Sequence, residues 1–230
     1  MLAVDVGGTH VKIRATGHPT PRKVVSGPTM TAQAMVRAVK RLAVGFRYDV
    51  VSIGYPGVCI HNRPIVEPHN LGPGWVGFDF GRAFGRPVRI VNDAAMQALG
   101  SYRGGRMLFL GLGTGLGSAM IIDGVLEPME LAHLPYRKGR TFEDYVGERG
   151  RERLGKKRWR RYVADVVERL RAALEPDEVV IGGGNAVRLK RLPAGVRLGN
   201  NRNAFTGGFR LWDERWAQVD GFARHPRSKR

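Results

Sequence analysis

The stretch Leu2-Ala3-Val4-Asp5-Val6-Gly7-Gly8-Thr9-His10-Val11-Lys12-Ile13-Arg14-Ala15 decides how the chain is read. Residues 2–6 and 11–15 are apolar-rich runs of strand length, and Gly7-Gly8-Thr9 between them reads as a hairpin turn. A turn without Cβ atoms lets backbone N–H groups approach an anion closely. The Asp5 carboxylate suits a hydrated Mg²⁺ beside a phosphate, held through water. The Thr9 hydroxyl and the Lys12 ammonium suit phosphate oxygens. Gly7, Gly8, Thr9, Lys12 and Asp5 are therefore a candidate phosphate loop.

The same plan restarts in the second half. Residues 107–111 and 118–122 read as strands around Gly113-Thr114-Gly115-Leu116-Gly117. A third cluster, Gly182-Gly183-Gly184-Asn185, follows a strand at 179–181 and precedes a predicted helix. Between these landmarks, strands are expected at 23–26, 50–55 and 88–91. Helices are expected at 31–44, 78–84, 94–102, 142–153, 159–174 and near 209–217. One glycine turn is explained by hairpin geometry alone. Three at strand ends, one of them carrying Asp, Thr and Lys, point to phosphate binding. Neither a Walker sequence nor a dinucleotide fingerprint is present. The internal repeat predicts two α/β lobes with glycine turns facing a shared cleft.

Two groups of polar residues stand at places where chemistry is done. Asn92-Asp93 follows the apolar run 88–91 and opens a helix. In open α/β sheets ligands bind beyond the carboxyl ends of the strands. A carboxylate there can take the proton of a hydroxyl that attacks phosphorus, or it can simply cap the helix; spacing leaves both open. Glu130-Leu131-Ala132-His133, Glu143 and Asn70 supply the mixed donors and acceptors that a polyol needs. His133 stands without nearby cysteines, which argues against a zinc site.

Charge is the unusual bulk property. The chain has 230 residues, 38 Lys plus Arg and 20 Asp plus Glu, a net +18 that points to a polyanionic partner. Eight basic residues and one acidic residue fall between Arg149 and Arg161. That run is either a solvated helix face or a track for a long polyanion. The single cysteine, Cys59, excludes a disulfide framework. No leader pattern or bilayer-length apolar run is found, so the expectation is a cytoplasmic protein without a membrane partner.

Taken in order, these residues resemble the ROK sugar kinases (repressors, open reading frames, kinases), and within them the bacterial polyphosphate glucokinases. The likeness runs from about Leu2 to Trp212. It rests on Asp5-Val6-Gly7-Gly8-Thr9-His10-Val11-Lys12, Asn70-Leu71 with Gly74-Trp75, and Val91-Asn92-Asp93-Ala94. It continues through Leu112-Gly113-Thr114-Gly115-Leu116-Gly117-Ser118, Glu130-Leu131-Ala132-His133, Ile181-Gly182-Gly183-Gly184 and Asn200-Asn201. The resemblance implies an α/β, actin/hexokinase-like (ribonuclease H-like) duplicated fold with two lobes around a central cleft. The lobes are expected at 1–93 and 94–221, with the last helix packing back on the first lobe and a basic tail at 222–230.

The same resemblance implies roles. Asp93 would be the general base toward the sugar 6-hydroxyl. Asn70, Asn92, Glu130, His133 and Glu143 would bind the sugar. The first glycine loop and Gly113, Thr114 and Gly115 would hold phosphates, and Gly182, Gly183 and Gly184 would flank the donor. Glucose or a related hexose would be the acceptor, polyphosphate or ATP the donor, and Mg²⁺ the cofactor, with no zinc. Relatives are often dimers, which leaves a homodimer open; no nucleic acid is required. The family's usual Glu-x-Gly-His carries Ala132 in place of Gly, and Pro135 stands where polyphosphate enzymes often have Glu. No helix-turn-helix precedes Met1, so the repressor branch is not expected. The rival readings are an ATP-dependent kinase for mannose, fructose or an N-acetylhexosamine, and a non-catalytic basic protein that binds polyanions on the same scaffold.

Overall fold

The computed structural model describes residues 1–213. The expected basic tail at 222–230 and the residues of the helix predicted near 209–217 that follow Asp213 lie outside the described residues. In the first half the chain forms β1 (Leu2–Val6), β2 (His10–Ala15), β3 (Arg22–Val25), α1 (Ala32–Leu42) and β4 (Val51–Tyr55). A small hairpin follows, β5 (Cys59–Ile60) with β6 (Arg63–Pro64), then α2 (Phe80–Phe84), β7 (Val88–Asn92) and α3 (Asp93–Ser101). The second half forms β8 (Arg106–Leu112), β9 (Leu116–Ile122), β10 (Val125–Met129), α4 (Glu143–Val146), α5 (Glu148–Leu174), β11 (Glu178–Gly182), β12 (Val196–Leu198) and α6 (Asn203–Arg210).

Two five-stranded sheets share one topology. The first has the order β3-β2-β1-β4-β7 and the second β10-β9-β8-β11-β12. In each, the first three strands form an antiparallel meander, and the last two add in parallel to the strand that opens the half. α1 crosses from β3 to β4 and α5 from β10 to β11, as parallel neighbours require. The predicted repeat is thus a repeat of strand order as well as of glycine turns.

α1 forms because Met35, Val36 and Val39 recur on one face, and Thr31 caps it by accepting the Ala34 N–H at 3.2 Å. α5 runs through the predicted gap at 154–158, with one non-helical residue, Gly155 at φ 73°. Glycine tolerates that left-handed geometry, and the helix is broken there into two segments.

The described residues form three cores. One lies in the first half around Val4, Ile13, Met35 and Trp75. One lies in the second half around Leu110, Trp159, Val163 and Ile181. The third joins the halves: Ala95, Met96 and Leu99 of α3 pack with Phe109, Ile121, Val180 and Ala204. α3 leaves the first sheet yet packs on the second, where a Cβ on Gly117 would lie 2.6 Å from the Ala94 Cβ. α6 leaves the second sheet and packs on the first: a Cβ on Gly208 would lie 2.7 Å from the Ala3 Cβ, and the Ser52 hydroxyl donates to the Gly208 carbonyl.

The two helices meet at glycines. A Cβ on Gly100 would overlap the Asn203 carbonyl, and one on Gly207 would overlap the Met96 carbonyl. Among the described residues a helix spans Asn203–Arg210, which meets the helix predicted near 209–217 only at 209–210. Gly207 and Gly208 are poor helix formers, and tertiary contact overrides that weakness. No helix among the described residues is long and apolar enough to cross a membrane.

Replacing Gly207 by Ala should destabilise the protein by about 1–3 kcal/mol through overpacking against the α3 backbone. Gly184→Ala, where a Cβ meets open space, should leave the melting temperature unchanged. Thermal unfolding of both variants checks this, and equal melting temperatures would remove the close crossing as a constraint.

Candidate active site

Asp93 is positioned by backbone geometry. β7 ends at Asn92 and α3 begins one residue later. Asn92 is the cap: its Oδ1 accepts from Ala94 N at 2.9 Å and Ala95 N at 3.2 Å. Its Nδ2 donates to the Gly57 carbonyl at 3.1 Å, which pins the loop after β4 and leaves one amide hydrogen for a ligand. The cap is therefore Asn92, so Asp93 does not have to serve as one. One Asp93 oxygen accepts from Ala94 N at 2.7 Å. Beside it, a Cβ on Gly54 would come within 3.4 Å of the Asp93 Cα and would overlap the Met96 side chain. Glycine at 54 thus lets the first turn of α3 lie against β4.

The register of β1 on β4 sets Asp5 next to Gly54. Asp5 therefore lies close enough to Asp93 for their charges to interact. Burial pushes the Asp93 carboxyl up to about 7, and the negative charge of Asp5 adds to the rise. Asp5 is itself raised by burial, against the pull of Lys12, whose Nζ lies 3.5 Å from Asp5 Oδ2. Cys59 lies in the same field: burial, then the charge of Asp93, pushes its thiol up to about 12.

The first glycine turn is fixed by Gly7 N donating to the His10 carbonyl at 3.0 Å and the Ser26 hydroxyl donating to the Gly7 carbonyl at 2.5 Å. Thr9 is exposed on it. Asn70 reaches this turn from a distant loop: a Cβ on Gly8 would lie 2.9 Å from the Asn70 Cβ. That loop is tied by Glu67, whose carboxylate accepts from Trp75 N at 3.1 Å and Val76 N at 3.1 Å. Trp75 beneath it is fully buried.

The second half contributes Glu130 at the end of β10. Ser118 holds it in place: the hydroxyl donates to the Met129 carbonyl at 2.7 Å and accepts from Leu131 N at 3.1 Å. Burial raises the Glu130 carboxyl, opposed by His133 and reinforced by Glu143. His133 Nε2 lies 3.9 Å from Glu130 Oε2 and is largely exposed. Ala132, where the family pattern has Gly, keeps an ordinary negative φ and buries its methyl in the core.

Glu143 sits under the second glycine turn. Its Oε2 accepts from Leu116 N at 3.1 Å, and a Cβ on Gly115 would overlap it. The turn is closed by Gly113 N donating to the Gly115 carbonyl at 3.1 Å. Thr114 is exposed, and its carbonyl accepts from Glu148 N at 3.1 Å, so α5 starts at this turn.

The third cluster meets the second. Gly183 has φ +83°, and a Cβ there would overlap the Leu112 carbonyl. Gly182 is packed against Phe109, and Gly184 faces open space. Only a single turn of 3₁₀-helix, Ala186–Arg188, follows in place of the predicted helix. Buried Asn185 joins the clusters: its N–H donates to the Leu112 carbonyl at 2.9 Å, and its Nδ2 donates to the Gly113 carbonyl at 3.2 Å and to Glu148 Oε2 at 2.7 Å. Arg151 pairs with Glu148 through two nitrogens and holds its carboxyl at about 2.

The structure thus brings Asp5, Asp93, Glu130, His133 and Glu143 into one chain of interacting charges between the glycine turns, with Asn70 on the first turn. Reasoning from sequence missed the supports: Glu67, Ser118, Glu148, Arg151 and Asn185. Among these, only Asn185 carried a visible signal, its position directly after three glycines.

Among the described residues no group of three or more His, Cys, Asp or Glu could hold a metal by itself. One partly buried carboxylate, Asp5, beside a glycine turn fits Mg²⁺, which keeps several waters and takes one or two carboxylates plus phosphate oxygens.

Two sheets of one topology, joined through exchanged helices and carrying glycine turns beside a row of carboxylates, define the actin/hexokinase-like fold class. The model described as "ROK family" matches residues 1–127, and the chain belongs to the ROK family. The polyphosphate glucokinase of Mycobacterium tuberculosis (strain ATCC 25618 / H37Rv) is 27% identical over 205 residues, covering 80% of this chain and 77% of that protein. The inorganic polyphosphate/ATP-glucomannokinase from Arthrobacter sp. strain KM matches with a TM-score of 0.73 and 26% identity, over 90% of this chain and 96% of that one. A ROK family glucokinase from Streptomyces griseus, solved with glucose and AMPPNP, has a TM-score of 0.75 at 18% identity over 92% of this chain and 98% of that one, a likeness of fold alone.

Asp93 holds its proton more tightly when folded, at about 7, than the ordinary carboxyl at 3.8 does. The folded state therefore binds more protons in that window, and stability falls as pH rises from about 4 through 7. Asp93→Asn removes the cost of the buried charge. It should raise the melting temperature at pH 8 and raise it less at pH 5. An equal shift at both pH values would contradict the raised carboxyl.

Proposed function

We propose that the protein is a sugar kinase that transfers a phosphoryl group from inorganic polyphosphate or ATP to the 6-hydroxyl of glucose. The observation that carries this reading is Asp93, a carboxyl raised to about 7, at the start of α3 and within charge range of Asp5, on the strand that leads into the first glycine turn. A base poised near neutral pH is what proton removal from an alcohol requires. Asp93 takes the hydroxyl proton as the sugar oxygen forms its bond to phosphorus, and the bond from phosphorus to the donor's bridging oxygen breaks. The departing phosphate keeps that electron pair.

The other residues bind and orient. Asn70, Glu130 and His133, with the remaining Asn92 amide hydrogen, hold the sugar hydroxyls. Glu143, bonded to Leu116 N, shapes the second turn and reaches the sugar through its neighbour Glu130. Gly8 and Thr9 on one side and Thr114 and Gly115 on the other offer backbone N–H groups to phosphates, and Lys12 offers its ammonium; Gly7 and Gly113 shape the two turns through N–H bonds to the His10 and Gly115 carbonyls, and Gly182, Gly183 and Gly184 run along the donor. Asp5 would hold Mg²⁺ through water, and the ion when bound neutralises phosphate charge.

The basic helix supports a long anionic donor. α5 begins at the second glycine turn, and Arg149, Lys156, Lys157, Arg158 and Arg161 along it are exposed. Three basic side chains of the run are engaged locally: Arg151 with Glu148, Arg153 with the Asp144 carbonyl and Arg160 with the Arg188 carbonyl. The exposed remainder is free to meet successive phosphates, releasing counterions as they bind. Polyphosphate use is also part of the name of relatives 26% and 27% identical, one of which carries mannose in its name as well. Mannose is therefore the second acceptor to test.

A coupled assay for glucose 6-phosphate, with Mg²⁺ and either donor, tests the reading. Asp93→Asn should lower kcat by about 10²–10⁴, and a wild-type rate in that variant would refute the mechanism. KM for polyphosphate should rise with salt more steeply than KM for ATP. Lys157→Glu with Arg158→Glu should raise KM for polyphosphate about tenfold or more while leaving KM for glucose unchanged; no activity with polyphosphate at low salt would remove it as donor.

A further inference from the structure

A cavity of about 310 Å³ opens between the halves beside the proposed sugar site. Its walls come from the β5–β6 hairpin, from the end of β7 and from the end of β10. Val58, Ile60, Ile90, Val91, Pro128 and Met129 make most of its surface apolar. Two of the proposed sugar-binding residues, Asn92 and Glu130, line the same space. The volume is at the small end of the range for ligand sites. A hexose is covered with hydroxyls and has no use for an apolar wall on that scale, because each hydroxyl facing it would lose its water without gaining a partner.

We infer that the acceptor site extends into this cavity and takes a hexose carrying a neutral apolar substituent, a short alkyl chain or a phenyl ring, on its anomeric oxygen, the side of the sugar set toward Glu130. This rests on the kinase reading above and specifies its acceptor class. The free 6-hydroxyl still meets Asp93, and the reaction stays the same: the hydroxyl gains the phosphoryl group and gives its proton to the carboxylate. Only the substituent enters the cavity. Because the walls come from both halves, a substituent lodged there touches both and is buried on several sides.

The test compares methyl, n-butyl and phenyl glucosides, each with a free 6-hydroxyl. Methyl glucoside is the baseline, since every member lacks the free anomeric hydroxyl. Calorimetric titration without donor, and kcat/KM with the better donor, are measured for the wild type and for Val58→Trp and Ile60→Trp, which would fill the cavity. Each methylene buried should tighten binding and raise kcat/KM about two- to fourfold, so the butyl compound should exceed the methyl compound about tenfold or more. The filled variants should lose that gain while keeping wild-type kcat/KM for glucose.

A flat or falling series in the wild type overturns the inference, whatever the variants do. Turnover of glucose with a flat series strikes the cavity proposal alone. Absence of glucose turnover with either donor strikes the kinase reading, and the titrations then judge the cavity by themselves.

Discussion

The crossing of α3 and α6 at Gly100 and Gly207 is the contact on which the rest of the structure depends. Each helix covers a sheet to which its own half does not belong, and the backbones touch where side chains are missing. Ala95, Met96 and Leu99 then form a core shared by both halves. This crossing also sets the chemistry. α3 begins at Asp93, so the angle at which α3 meets α6 fixes where that carboxylate sits relative to Asp5. A cleft whose charged groups come from two sheets needs a rigid joint, and close-packed interiors transmit small shifts.

The neighbours of each carboxylate decide how tightly it holds its proton. Lys12 offsets the charge of Asp5, and His133 offsets that of Glu130. Asp93 has no cation among the causes of its shift, and burial with the charges of Asp5 and Glu130 raises it to about 7. Its backbone hydrogen bond to Ala94 opposes the rise without cancelling it. Glu148, by contrast, is held ionised by Arg151 and Asn185 and serves to brace the second glycine turn. Similar side chains thus do different work because their neighbours differ.

Much of this was legible in the chain because it is written locally. The first hairpin, its copy at 107–122 and the strand before Asn92-Asp93 are apolar runs that end in glycine or a cap, and those signals do not depend on distant residues. The helix at Asn203–Arg210 escaped because Gly207 and Gly208 weaken its pattern, while the contact that stabilises it is long-range. The strands β5, β6, β10 and β12 escaped for a related reason: all four lie at a sheet edge or in a two-stranded hairpin, and β5, β6 and β12 have only two or three residues each. In the site, the charged residues were visible and their supports were not. Glu67, Ser118 and Asn185 act through bonds to backbone groups up to 72 positions away, as in Asn185 to Gly113, and no spacing rule reports such bonds.

The exchange of helices also has a historical sense. Either half alone would present a sheet with one face uncovered and a helix with nothing to cover. Two identical halves related by a twofold axis would satisfy each other by trading those helices, with glycine meeting carbonyl on both sides of the axis. The present chain has the form of such a dimer carried on one backbone, with Asp5 and Lys12 at the turn of one half and the basic helix at the turn of the other.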